Sequence, residues 1–297
     1  MKLYTMKKIF TLIASAILLF SCSSDDSQVV ENTAATSTGI PDFQKLEKVI
    51  FMPGGSNETV WHFNSDGVLS EIKNRNGVVI QSFTYDSNQN LTLSVKGNVM
   101  YTFGYDNNNH MTNFNGQPLT YNVAQNSYTI TFASTATDDY LASMTINLSA
   151  DSIILNEDPH YISSEGGGYT GPLFGTNYSN GNMTQYYVTG SNGESDYRYD
   201  THTNPFKKAL LPICRAFSVA CFLMPDERFA TGEYNSENNV IFNGYDLEGP
   251  EDLEYVYEYN EHNLPVKRTS NAYYLGALEH TYVSAEFEYQ PVILPKK

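Results

Sequence analysis

The chain has 297 residues, with 33 acidic against 17 basic side chains, a formal net charge of −16 and 23 tyrosines. So acidic a molecule repels phosphate backbones, which excludes nucleic acid as a natural partner. About 250 residues follow the N-terminal segment, enough for one large all-β domain or two small ones.

In chain order, Lys7 and Lys8 precede an apolar run from Ile9 to Phe20, which ends at Ser21-Cys22. A basic start, an apolar core of about a dozen residues and a small residue before the break make a secretory signal. The run falls short of the roughly 20 apolar residues a membrane helix needs. Leu19-Phe20-Ser21-Cys22 resembles a bacterial lipobox. That resemblance implies loss of residues 1–21, lipidation of Cys22 and a membrane partner reached through acyl chains. An ordinary secretory signal ending near a cysteine is the alternative. Ser23-Ser24-Asp25-Asp26-Ser27 resembles the acidic export signal of Bacteroidota lipoproteins, implying display on the outer face of the outer membrane. A plain polar tether would use the same residues. Loss of Lys2, Lys7 and Lys8 with the signal takes the net charge to about −19. Residues 22–42 lack an apolar period and read as a lipidated flexible tether, with the folded domain over 43–295.

Within that domain the apolar residues alternate. Leu253, Tyr255, Tyr257 and Tyr259 share one face with Glu254 and Glu258 on the other, and Val283, Ala285, Phe287 and Tyr289 repeat the pattern. Period two implies antiparallel strands with one buried face. Asp66-Gly67, Asn76-Gly77, Asn115-Gly116, Asn180-Gly181, Asn192-Gly193 and Asn243-Gly244 are hairpin signals, because both residues tolerate positive φ.

A phrase recurs: aromatic-x-aromatic-Asp/Asn, a few turn residues, then an apolar residue. It stands at Trp61–Asn64, Phe83–Asp86, Phe103–Asp106, Tyr197–Asp200 and Tyr257–Asn260. Each copy predicts a strand end, an Asx turn and the next strand. These segments resemble YD repeats of the RHS type found in Bacteroidota surface lipoproteins, with Asn in place of Asp at Asn64 and Asn260. The resemblance implies an antiparallel meander of repeated β-hairpins forming a curved sheet, with too few hairpins to wind into a hollow shell.

Residues 163–183 hold six glycines and predict a long exposed loop, a seam between two halves. Near 205–224 the period changes: Phe206, Leu210, Ile213, Phe217, Ala220 and Met224 recur at helical spacing behind Asn204 as cap and Pro205. Pro212 inside that run predicts a kink or two short helices. The helix is expected to cover a sheet face or plug an open end. Cys214 and Cys221 lie too far apart along a helix to bridge, so both read as buried thiols.

Catalytic motifs of the hydrolase, metalloprotease and nucleotide-binding kinds are missing, and no cofactor or metal is expected. Asp86-Ser-Asn88-Gln-Asn90 opens like a calcium loop but has Leu91 and Gly97 where Gly and Glu are required, so an Asx turn fits better. Asp151-Ser152-Ile153 resembles the O-glycosylation site of Bacteroidota secreted proteins, which makes Ser152 a candidate acceptor; a chance strand start fits equally. Tyr161, Tyr169, Tyr178, Tyr186 and Tyr187 lie outside the repeat positions and are the candidate ligand contacts, for a glycan or a surface protein. The chain therefore reads as a non-catalytic, lipid-anchored surface protein, a binding or adhesion module. A glycan-binding accessory protein and a hydrolase with an unrecognised site are the alternatives.

Overall fold

The computed structural model describes residues 44–132, 140–151, 153–163, 167–170, 174–188, 194–220, 231–244 and 252–291. Strands β1 (Leu46–Phe51), β2 (Thr59–Phe63), β3 (Leu69–Asn74), β4 (Val79–Tyr85), β5 (Leu91–Lys96) and β6 (Val99–Tyr105) follow one another as hairpins. β7 (Met111–Phe114), β8 (Gln117–Asn122), β9 (Ser127–Thr131), β10 (Tyr140–Leu148) and β11 (Ile154–Ser163) continue the meander. Then come β12 (Gly167–Thr170), β13 (Phe174–Ser179), β14 (Asn182–Val188) and β15 (Glu194–Thr203). Helices α1 (Pro205–Ala220) and α2 (Gly232–Asn235) interrupt before β16 (Asn238–Gly244), β17 (Asp252–Tyr259), β18 (Pro265–Tyr274) and β19 (Ala277–Tyr289).

All pairing is antiparallel, and β1 pairs with both β2 and β19. The first and last strands therefore close the sheet. β12 and β13 pair with successive stretches of the same edge of β11, so together they take one place in the wall and eighteen strands make the barrel. The expected open, curved sheet is thus corrected to a closed barrel. Many wall strands, among them β8 and β13, carry no repeat phrase, so counting phrases undercounts strands.

The phrase itself folds as its chemistry predicts. Oδ1 of Asn64 accepts the amides of Asp66 and Val68, and Oδ1 of Asp86 those of Asn88 and Asn90. Oδ1 of Asp106 accepts Asn108 and His110, and Oδ1 of Asn260 accepts His262 and Leu264. In each turn the residue three places on is left-handed: Gly67, Gln89, Asn109 and Asn263. This is a three-residue hairpin loop, a type I turn closed by one residue at positive φ. Asn74 builds the same turn at Gly77.

The tyrosine of the phrase has its own task. Tyr85 donates its hydroxyl to the Leu69 carbonyl, Tyr105 to Leu91 at 3.0 Å and Tyr199 to Met183, and outside the phrase Tyr289 donates to Pro265 at 2.9 Å. Each acceptor belongs to the strand before. The Asx residue ties a strand to its successor, and the tyrosine ties it to its predecessor.

These ties lie at one end of the barrel, where the chain also enters and leaves: the Gln290 side chain bonds the carbonyls of Leu46 and Asn64. We call it the tied rim. The opposite, far rim carries the β1–β2, β3–β4, β5–β6, β7–β8 and β18–β19 turns.

Three local expectations change. The glycine-rich stretch 163–183 is not a long loop: its described part is β12, β13 and the start of β14, and the sheet runs through it. A Cβ on Gly175 would stand 2.4 Å from the Tyr187 ring, so glycine there lets a wall strand pass beneath an aromatic. Asn243-Gly244 lies inside β16 rather than in a turn. Asn115-Gly116 and Asn180-Gly181 do form turns with both residues at positive φ, whereas Asn192-Gly193 falls outside the described residues. Helix α1 is a single 16-residue element that continues through Pro212 instead of breaking there.

Tyr105→Phe removes the donor to the Leu91 carbonyl while keeping the ring. Chemical denaturation should show a loss of about 1–3 kcal/mol, the cost of a half-buried acceptor left unpaired. An unchanged unfolding midpoint would mean that the tyrosine hydroxyls do not hold the strands.

Candidate functional site

The feature that governs what this barrel can do is the helix across its tied rim. Asn204 Oδ1 accepts the Phe206 amide at 3.0 Å, the expected cap, and Pro205 begins the helix. The side chains of Phe206, Ala209, Leu210, Ile213, Cys214, Ala216 and Phe217 are buried in the core. Lys208 and Arg215 face outward. Lys207 bridges Asp151 at 3.1 Å and Glu237 at 2.7 Å, and Arg215 Nε donates to the Asp151 carbonyl at 2.9 Å. Those contacts fix the polar face of α1 to tied-rim turns. Its apolar face looks into the bore and touches opposite parts of the wall. Phe206 packs on Phe51, Trp61 and Phe287 at centroid distances of 5.9, 6.3 and 5.6 Å, while Phe217 meets Phe103 at 5.8 Å. Cys214 is buried, its thiol pushed well up by burial; Cys221 lies outside the described residues.

Helix α2 carries a second anchor. Arg268, 5% exposed on β18, pairs with Glu233 and donates through Nε to Ser284 Oγ at 2.9 Å. Its guanidinium sits 4.7 Å from the Tyr255 ring and 5.7 Å from Phe51. A charge taken out of water is held by an ion pair, a hydroxyl and aromatic faces, which pins α2 to the wall. Nothing in the sequence marked this pair, because the partners stand 35 residues apart on elements of different period.

A third polar cluster joins β15, β16 and β17. Asp200 accepts the Tyr259 hydroxyl and the Asn239 amide and side chain, and His202 stacks on Tyr259 at 4.1 Å. The carboxylate is engaged by these neighbours in a strand-to-strand clasp.

The two faces of the wall differ in kind. Val49, Trp61, Ile72 and Gln81 face each other across successive strands and point inward. On the outside runs a ladder of charge. Glu258 pairs with Lys267 at 2.8 Å and Glu288 with Lys48 at 2.6 Å; Glu286 stands opposite Lys267, and His62 between Lys48 and Glu71. Thr84, Thr102, Thr120, Thr131 and Ser143 continue the outward face.

Of the tyrosines proposed as ligand contacts, the sheet sets Tyr161 opposite Tyr169. Tyr178 packs on the core, with its hydroxyl buried. Tyr161 also lies opposite Leu141 in the sheet. Tyr186 and Tyr187 are consecutive in β14, so they point to opposite faces. Cys22 and Ser152 fall outside the described residues.

No family model matches the chain, and no curated protein matches it in sequence. Among solved structures it is similar to a porin-like protein from Bacteroides uniformis, at 12% identity and a TM-score of 0.37 over 82% of this chain and 97% of that one. It is also similar to a porin-like protein from Bacteroides vulgatus, at 11% identity and a TM-score of 0.28 over 83% and 99%.

Two substitutions test the internal anchors. Phe217→Ala should destabilise the fold by about 3–5 kcal/mol, since the stopper loses a buried ring. Glu233→Gln should cost about 3 kcal/mol by stranding Arg268, and adding Arg268→Met should restore part of that loss in a double-mutant cycle. Additive single effects would show that the pair is not coupled.

Proposed function

We propose that this protein is a water-facing, stoppered β-barrel, hung from the outer membrane by a lipid on Cys22 and serving as a non-catalytic binding or adhesion module. The observation that carries the reading is the wall: apolar and packed against α1 within, and bearing on its outside a row of charge from β17 round to β3 and hydroxyls from β4 to β10, interrupted by Ile50, Val60, Leu93 and Val95. A barrel that crosses a bilayer needs the reverse, an outward apolar band about 25 Å tall. A conducting pore needs an open bore, and here the tied rim is filled by Phe206, Leu210, Ile213 and Phe217. The sequence Leu19-Phe20-Ser21-Cys22 supports the anchor, and the acidic stretch behind it supports surface display.

Two measurements examine the reading. Metabolic labelling with a fatty-acid analogue should mark the native chain and not its Cys22→Ser variant; label retained on the variant would refute the anchor. In planar bilayers the purified protein should give no conductance steps. Porin-sized steps that vanish on heat denaturation would overturn the stoppered-barrel reading.

A further inference from the structure

The far rim differs from the rest of the molecule in a way that the anchoring reading does not use. From Ile72 to Thr137 the chain's carboxylates are Asp86 and Asp106 alone, and both cap turns on the tied rim. The far-rim tips in that span therefore hold no acid, in a chain where acids outnumber bases about two to one. Their charged residues are Lys73, Arg75 and Lys96, of which Lys73 is paired with Glu71.

The same tips expose large apolar side chains. Val78 is 57% and Met100 60% exposed, and Val79, Ile80 and Val99 are exposed beside them. The β3–β4 and β5–β6 tips are contiguous: the Gly97 amide bonds the Ile80 carbonyl, Gln81 stands opposite Lys96, and Lys96 opposite Val99. The result is one convex patch, apolar at its summit and cationic at its flanks. Exposed apolar residues of this kind, clustered rather than scattered, mark an interaction surface.

We propose that this patch docks on an anionic lipid bilayer. Val78, Val79, Ile80, Val99 and Met100 enter the interface while Arg75 and Lys96 meet the headgroup charge. Apolar side chains beside lysine or arginine are the chemistry that binds an anionic interface. Shape agrees, since two projecting hairpin tips suit a soft plane better than a partner's groove. Long-range electrostatics agree too: a strongly acidic body is repelled from an anionic surface, least at these two basic tips, so approach orients the barrel tip-first. The neighbouring β1–β2 tip carries Glu58, and the β18–β19 tip beyond it, with Leu275 and Leu278, carries Glu279, so the patch ends at β3. The proposal goes beyond the anchoring reading and does not require Cys22 to be acylated. If Cys22 is acylated, the roughly 20 residues between it and β1 extend to some 70 Å, longer than any strand of the wall, so anchor and tips can share one bilayer.

The test is vesicle flotation of the full chain carrying Cys22→Ala, so that acylation contributes nothing. Vesicles of phosphatidylcholine are compared with vesicles containing about one third phosphatidylglycerol. Selective flotation with the anionic vesicles is expected, weakening as salt shortens the Debye length. Arg75→Glu with Lys96→Glu, and separately Val79→Asp with Met100→Asp, should each reduce the bound fraction at least tenfold. All four positions are exposed, and circular dichroism should be unchanged. Val123→Asp, at a residue 75% exposed on the tied rim, should leave binding intact. Equal binding to both vesicle types, no binding to either, or flotation insensitive to the tip variants would overturn the proposal, the second pointing to a protein or glycan partner and the third to another lipid-binding surface. None of these outcomes bears on whether Cys22 carries a lipid, which the labelling experiment decides separately.

Discussion

A closed barrel of eighteen strands is wider than its own side chains can fill. Barrels of that size otherwise enclose water, and their inner faces are polar. Here the inner face is Val49, Trp61, Phe63, Ile72, Phe83 and Phe103, side chains that cannot stand against a water column. The volume must be occupied, and the chain supplies the occupant from within, between β15 and β16. An amphipathic helix meets the requirement because one face can reach apolar wall on several sides while the other stays in solvent with Lys208 and Arg215. The cost of Pro212, about 3 kcal/mol in an isolated helix, is borne by burial of two phenylalanines and the aliphatic residues around them. Removing the stopper would expose the inner wall, so helix and barrel form as one unit.

The rims divide the remaining work. At the tied rim β4 and β6 are each fastened twice, to the successor through an Asx oxygen and to the predecessor through a tyrosine hydroxyl. The Asp106 carboxyl is held below its ordinary value chiefly by the amide of His110, so that tie is complete at neutral pH and is lost as acid protonates the carboxylate. The far rim uses the two-residue Asn115-Gly116 and Leu275-Gly276 turns, and asparagines supply side-chain ties there: Asn74 closes the β3–β4 tip and Asn115 Oδ1 accepts the Thr102 amide at 2.8 Å. Leu275 at φ +49 is an apolar residue in a backbone region that favours glycine or asparagine. One rim is built for register, and the other is left available.

What could be read from sequence was local. The Asx turns follow from one side chain reaching two and four residues ahead, and the cap, start and apolar stripe of α1 lie within 17 consecutive residues, Asn204 to Ala220. Closure could not be read, because it depends on Leu46 meeting Tyr289 and Val49 meeting Phe287 across most of the chain. The tyrosine hydroxyls escaped for a related reason: an alternating pattern shows which face Tyr105 takes, not that its oxygen ends at Leu91. Residues 163–183 misled because glycine signals turns by default, whereas Gly175 serves a close approach within a strand. Arg268 and Glu233 had no period to betray them.

The outward charges decide how such a barrel can be attached to a membrane. Placing a lysine or arginine on the lipid face of a barrel near the bilayer midplane costs about 2–4 kcal/mol, and acids somewhat less. Lys48, Glu71, Lys73, Glu258, Lys267, Glu286 and Glu288 all lie on the outer face of adjoining strands, β17 round to β3. Their mutual pairing in water is worth little per bridge, so it could not offset that penalty. The wall from β17 to β3 is therefore suited to water and not to lipid, and the anchor proposed above would lie outside it. The lipid proposed on Cys22 would supply attachment without altering a single wall residue.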